Sequence, residues 1–378
     1  MIGAIKKIFL VALLLIVAAL YYRGSKNPLQ LIPYPYLLPS SQVRLTPQQV
    51  QEINHSQVLI IGDQMGVSLN RYLPRIIKES SSVLSSKLKA FSLARSGDGI
   101  HRTIAKIRQL KKVPPVVIFM GGSQEQQEKK FHLADKKTIM TNLRWEKNEI
   151  IGSLIMTFPW LSRLIYTPIN YIKLKTKPQI DKKYYDARET QHMRVLSYRL
   201  YQRELRQLHQ EISARGGILV TITAPANLEL TPKRICLDFP TPLQEQQLSQ
   251  VERLLEQKDS KSAFRSLQQI ENPTHINTQF NYLAGKIAIN LGQMAQAQEY
   301  LKLAAIYDCT NLRVNPIYNI ILKKFANNNG LLLLDFDRLV NNHSRDNILF
   351  FDQLLPQPIF YYLLVDQLTN SITQLLQL

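Results

Sequence analysis

Four short polar segments stand where apolar runs begin or end. Gly62-Asp63-Gln64 follows Gln57 to Ile61, Gly97-Asp98-Gly99 follows Ala90 to Ala94, and Gly121-Gly122-Ser123-Gln124 follows Val116 to Met120. Asp352-Gln353-Leu354-Leu355 precedes the last apolar stretch. Glycines at such places permit tight turns and close backbone approach. Carboxylates such as Asp63 and Asp352 can orient a base or cap a turn. Ser123 is the hydroxyl of this set and the candidate for a displaced nucleophile. A nucleophilic serine needs an imidazole within hydrogen-bond reach. His101, His132 and His343 are the candidate bases, and none has the spacing a triad expects. Each has a plain structural alternative: Ser123 as a loop or N-cap hydroxyl, His101 as a helix-start residue, His343 as a solvated loop residue. Gln64, Ser123, Gln124 and Asp352 together are the candidate ligand-binding set.

Other chemistries lack their residues. The sequence has no Gly-x-x-x-x-Gly-Lys-[Ser/Thr] loop and no His-Glu-x-x-His, and Gly97-Asp98-Gly99 is too short for a dinucleotide fingerprint. Seven scattered histidines and two cysteines, Cys236 and Cys309, suggest neither a metal site nor a cofactor.

The elements that must position these segments alternate. Gln57–Ile61, Ala90–Ala94, Val116–Met120, Ile218–Thr223 and Leu331–Asp335 read as five short buried strands. Met65–Lys78, Ile100–Leu110 and Ile359–Leu376 have helical spacing. Strands alternating with helices predict an α/β fold with a five-stranded parallel sheet covered on both faces. Ligands of such sheets bind at the carboxyl ends of the strands, where the polar segments lie.

The 378-residue chain carries 47 Lys+Arg against 28 Asp+Glu, a formal net charge of +19. From Asn70 to Arg215 there are 29 basic and 12 acidic residues, so that stretch holds +17 of the total. A field this local suits an anionic neighbour, such as lipid headgroups or an acidic polysaccharide. At the N-terminus, Lys6 and Lys7 precede an apolar run from Ile8 to Tyr22, followed by Arg23. Residues 1–24 read as a signal-anchor and transmembrane helix, the alternative being a cleaved signal peptide at Val17-Ala18-Ala19. Residues 25–50 are a Pro-rich tether. Both N-terminal readings export the remainder, which makes a nucleic-acid partner improbable and permits, without showing, a Cys236–Cys309 disulfide.

Two insertions interrupt the alternating body of residues 51–242 and 309–378. Residues 129–183 have no acidic residue between Glu149 and Asp181 but include Arg163, Lys173, Lys175 and Lys177 among aromatics. That mix suits a membrane interface or anionic polymer, or a lid helix with solvated basic edges. After it, Tyr198, Tyr201, Leu205, Leu208 and Ile212 form a helical stripe that reads as core contact. Residues 243–308 are helical, with Ala263 and Leu267 recurring as Ala297 and Leu301 after 34 residues. Gly285, Ala297, Leu301 and Ala304 fall where a tetratricopeptide repeat keeps its packing residues. Such a pair is too short for a free solenoid and should dock on the sheet domain. It offers a surface for a protein partner.

The order of the polar segments resembles the SGNH (GDSL-type) hydrolase superfamily, and the helical insert and the Ala224-Pro225-Ala226-Asn227-Leu228 turn resemble an exported bacterial subgroup. The resemblance implies a three-layer flavodoxin-like sandwich at the extracytoplasmic face of the inner membrane, working on envelope carbohydrate or lipid. It also places Gln64 where the family has its nucleophilic serine, Gly97 (or Gly99) at the second motif, and Gly122, Ser123 and Gln124 where the family has Gly-x-Asn-Asp. Asp352 matches the orienting carboxylate, and Leu355 stands in place of the histidine base. An amide is not a nucleophile and a leucine accepts no proton. The expectation is a pseudoenzyme with a binding or scaffolding role, the alternatives being a rewired esterase or O-acyltransferase and an adaptor acting through the insert.

Overall fold

The computed structural model describes residues 43–84, 87–125, 130–131, 136–146, 187–232, 241–270, 277–308, 313–343 and 348–377, together with Leu14. Two compact units divide the chain: residues 43–128 with 181–378, and residues 1–42 with 129–180. The expected anchor (except Leu14), the Pro-rich tether up to residue 42, most of the basic insertion, His132 and both cysteines lie outside the described residues. Within the described part of the second unit is one helix, Lys136–Glu146. Among the described residues no helix is long and apolar enough to cross a membrane.

The larger unit is built on five parallel strands: β1 (Val58–Gly62), β2 (Ala90–Ser92), β3 (Val116–Met120), β4 (Ile218–Ile222) and β5 (Leu333–Leu334). They run in the order β2-β1-β3-β4-β5. β1 and β3 are buried along their whole length, which is why they read as unbroken apolar runs. Their register pairs Val58 with Val116 and Gly62 with Met120, so both strands end level.

One face is covered by α1 (Gln64–Asn70), α2 (Leu73–Leu84) and the long α3 (Pro358–Gln377), with Met65, Leu69, Ile76, Leu364 and Leu368 in its core. The expected single helix over Met65–Lys78 is thus two helices, interrupted at Arg71 and Tyr72 just before Pro74, which cannot continue a helix that precedes it. The other face is covered by α4 (Ile100–Ile107), α5 (Ala187–Ser213) and α6 (Pro316–Asn328). Tyr201, Leu205, Leu208 and Ile212 of α5 are buried there, as their spacing predicted.

The insert between β4 and α6 is two helical hairpins. Pro242–Glu256 pairs with Ser260–Gln268, and Thr278–Asn290 with Met294–Tyr307. A Cβ on Gly285 would lie 2.6 Å from Leu301 Cγ, so glycine there lets the last two helices close together. Leu301 and Ala305 join the core of the sheet's first face, so the insert docks on the sheet.

Candidate functional site

The strand order reverses between β1 and β3, because β2 lies outside β1 while β4 continues from β3. Such a switch point opens a crevice at the carboxyl ends of the strands. Gly62 and Met120 end the two strands there. A Cβ on Gly62 would lie 1.9 Å from the Met120 carbonyl oxygen, and Gly62 holds φ +134°. Only glycine fits, and its absence of a side chain brings the turn after β1 against the turn after β3.

Asp63 ties those turns together. Its Oδ1 accepts the N–H of Met65 at 2.9 Å, capping α1. Its Oδ2 accepts three successive N–H groups, from Gly122 (2.9 Å), Ser123 (2.7 Å) and Gln124 (3.0 Å). Gly122 reaches this arrangement with φ +109°. Successive amides converging on one point form an anion-binding concavity. In this protein the anion is the chain's own carboxylate, only 1% exposed. Burial pushes the Asp63 pKa up, and the hydrogen bonds from Met65, Ser123 and Gln124 pull it down less strongly. The Ser123 hydroxyl stands beside the carboxylate and favours its charged form, but falls short of hydrogen-bonding geometry.

The remaining expected positions are placed as follows. Gln64 is the first residue of α1 and half-buried. Its backbone oxygen accepts the Ser68 hydroxyl at 3.0 Å. Ser123 is buried and lies beneath the surface, and Gln124 is half-buried. Gly97 holds φ +82° in the turn after β2, and Gly99 is the N-cap of α4. Asp352 is exposed, and its Oδ1 accepts the N–H groups of Leu354 (2.7 Å) and Leu355 (2.6 Å). It shapes its own turn. Leu355 packs against the core that contains Met65, Leu69 and Tyr361. His101 is buried at the start of α4, and His343 is exposed with its Nδ1 2.8 Å from the Leu339 carbonyl. The structure therefore brings Asp63, Ser123 and Gln124 into one hydrogen-bonded group. Asp352 belongs to a separate turn.

The turn after β4 is pinned from below. Asn319 accepts the Ala224 N–H at 3.1 Å and donates to the Ala224 carbonyl at 2.7 Å. Asp337 accepts the Ala226 N–H at 2.9 Å. Arg313 donates to the carbonyls of Asn227 and Leu230 and forms a buried ion pair with Asp308 at 2.8 Å.

Several buried groups near the switch point lie outside the candidate site residues. Glu125 is 1% exposed and accepts the Ile100 N–H at 2.7 Å, tying the turn after β3 to the start of α4. Tyr201 and Tyr318 lie fully buried behind Gly122, with ring centroids 5.0 Å apart. Burial raises both phenol pKa values, and the charges of Glu125 and Asp63 raise that of Tyr201 further. Asp98 pairs with Lys106 in a buried salt bridge. The sequence offered Tyr201 only as part of the helical stripe of α5 and Asp98 only within Gly97-Asp98-Gly99, and it carried no signal for Glu125 or Tyr318. Among the described residues no group of three metal-ligating side chains gathers.

No family model matches the chain, and no curated protein matches it. Among solved structures it is similar to a protein from Bacteroides fragilis NCTC 9343 described as an acylhydrolase, at 10% identity over 86% of this chain and 93% of that one, with a TM-score of 0.35. It is also similar to a GDSL-like lipase from Bacteroides thetaiotaomicron VPI-5482, at 9% identity over 89% of this chain and 95% of that one, with a TM-score of 0.35.

Proposed function

We propose that this SGNH-like domain binds rather than cleaves. The observation that carries this reading is the Asp63 carboxylate seated on the N–H groups of Gly122, Ser123 and Gln124. An ester-cleaving site keeps preorganised donors for the oxyanion of the transition state. At this switch point those amides already hold a charge of the chain's own. Gln64 supplies no nucleophilic atom at the start of α1, the partly buried Leu355 packs against the core and accepts no proton, and the Asp352 carboxylate holds its own turn.

The half-buried Gln64 and Gln124 leave amide groups at the strand ends that suit a polar group of a glycan or lipid head. The apolar run from Ile8 to Tyr22 would hold the domain at a membrane, and the positive stretch from Asn70 to Arg215 would favour an anionic surface. The role is accessory: binding or scaffolding in the assembly of envelope glycan or lipid.

The test is hydrolysis of a short acyl ester by the full chain in detergent, beside Gln64→Ser, Leu355→His and the double variant. The parent is expected to match the buffer rate. The double variant regains a serine and an imidazole, and its rate is expected to rise about tenfold or more above the parent. Turnover by the parent, abolished by Ser123→Ala, would overturn the binding reading in favour of a rewired enzyme.

A further inference from the structure

The turn after β4, residues 224–231, does not hold its own shape. Among the described residues it makes no backbone–backbone hydrogen bond. Its peptide groups are satisfied by side chains from elsewhere, and these fall into two sets. Asn319 of α6, with Asp337 and Asn341 of the short helix Phe336–Asn341, holds Ala224 and Ala226. The second half is held at the insert. Arg313 donates to the carbonyls of Asn227 at 3.0 Å and Leu230 at 2.8 Å, and pairs with Asp308, the C-cap of the last insert helix. Tyr282, from the insert helix Thr278–Asn290, donates to the Glu229 carbonyl at 3.4 Å, and its hydroxyl lies 3.0 Å from that of Thr231.

That second half reaches the Asp352 turn. Asn227 is half-buried, and its Nδ2 donates to the Asp352 carbonyl at 3.4 Å. Leu228 and Leu349 face Ile289, Met294 and Ala297 of the insert across a cavity of about 20 Å³. Leu349 is also the base of the Asp352 turn, where its carbonyl accepts the Gln357 N–H at 2.9 Å.

The seam between insert and sheet is built to part. The insert has a core of its own, centred on Leu248, Val251, Ala263, Leu267, Leu283 and Ile287. It meets the sheet's core through Leu301 and Ala305, and through Tyr282, which packs against both cores. The cavity forgoes packing contacts along the seam. The side chains of Arg313 and Asp308 are 2% and 1% exposed, and taking two charges out of water offsets much of their attraction. A body with its own core on such a seam can leave as a unit, while β1 and β3 stay folded without it.

We propose that the helical insert controls the crevice. Its docking sets the second half of the turn after β4, and with it Asn227 and the Asp352 turn, and its release frees them. A ligand that touches Asn227 or Asp352 would bind the docked form better and would strengthen docking in return. That consequence rests on the binding reading, whereas docking itself is measured without a ligand.

The experiment is native-state proteolysis of the full chain in detergent by a glutamyl endopeptidase, with the cut after Glu229 followed by mass spectrometry. Hydrogen exchange of the Asp352 turn is measured beside it. Glu229 is exposed, but cleavage needs a turn released from its partners, so the rate follows the released fraction. The N–H of Phe351 bonds the Leu355 carbonyl and those of Leu354 and Leu355 bond Asp352, so their exchange reports the second turn. Tyr282→Phe removes one hydroxyl, and Arg313→Lys keeps the charge but loses the fork that spans two carbonyls. Each variant is expected to raise both the cut and the exchange about threefold to tenfold, the effect of a lost hydrogen bond or two. Exchange in β1 and β3 should stay as in the parent, which shows that the variants fold. No rise at either turn, a rise confined to the insert helices, or an equal rise in β1 and β3 would overturn the proposal.

Discussion

Gly62→Ala is expected to yield no cooperatively folded protein. The added methyl would stand 1.9 Å from the Met120 carbonyl oxygen and 2.7 Å from its carbon. Neither strand can retreat, because Gly62 and Met120 are partners in the centre of the sheet and both strands are buried on both faces. A close-packed interior does not accommodate an overlap of that size. The backbone at φ +134° adds strain for any L side chain. The combined cost should reach about 4–5 kcal/mol or more, in the exceptional class for a single substitution and comparable with the whole stability of many domains. Gly97→Ala is the control. It also has positive φ, +82°, but nothing lies within 4 Å of the new Cβ. Its cost should be about 1–2 kcal/mol, the conformational part alone. Urea unfolding followed by circular dichroism distinguishes the two, and similar behaviour of both variants would contradict the close approach at the switch point.

Asp63→Ala is expected to cost about 3–5 kcal/mol. The carboxylate satisfies four N–H groups, and its removal leaves those of Gly122, Ser123 and Gln124 without the acceptor that holds their turn. Each buried donor left unsatisfied costs about 1–3 kcal/mol, reduced where water enters the space vacated, and the lost helix cap adds about 1 kcal/mol. Asp63→Asn should fall between, because one amide oxygen serves either Met65 or the three-amide cradle and the NH2 group opposes the other. The two differ from the parent in their pH dependence. Burial holds the folded pKa of Asp63 above its ordinary 3.8. A raised folded pKa means that the folded state binds the proton more tightly than the unfolded chain. The linked stability is therefore fully present below the unfolded pKa and is lost as pH rises through the folded one. The stability gap between parent and Asp63→Asn should widen on acidification, and a gap that narrows would contradict the direction of the shift.

The sheet was legible where burial is complete. β1 and β3, covered on both faces, are unbroken apolar runs whose ends the sequence marks with glycine. The edge strands were harder: Leu331–Asp335 reads as five residues, yet only Leu333 and Leu334 pair, because an edge strand needs one partner and can leave it early. The break between α1 and α2 escaped helical periodicity because both helices bury the same face, with Met65, Leu69 and Ile76 in one core.

In the site, Asp63 was readable as a turn cap, and that is half of what it does. The other half was hidden, since its partners lie 59 to 61 residues away and are backbone amides, which every residue type except proline carries. Gly62 was readable as a turn glycine, but the reason only glycine fits is a carbonyl on the neighbouring strand. Asp352 was readable as a surviving member of a triad. The structure gives it a local role that needs no histidine: it closes the turn that presents Phe351. Glu125, Tyr201 and Tyr318 became visible only when the packing of α4, α5 and α6 brought them behind Gly122.

The central claim is that the amides after β3 serve Asp63 and that Ser123 beside them is not a nucleophile. The most direct measurement is reaction of the full chain with a fluorophosphonate, which phosphonylates activated serines, followed by peptide mapping by mass spectrometry. No labelled serine is expected after prolonged exposure at neutral pH, because Ser123 is buried and the described structure gives its hydroxyl no hydrogen-bonded base. Stoichiometric modification of Ser123 would contradict the account and make the protein an active serine hydrolase.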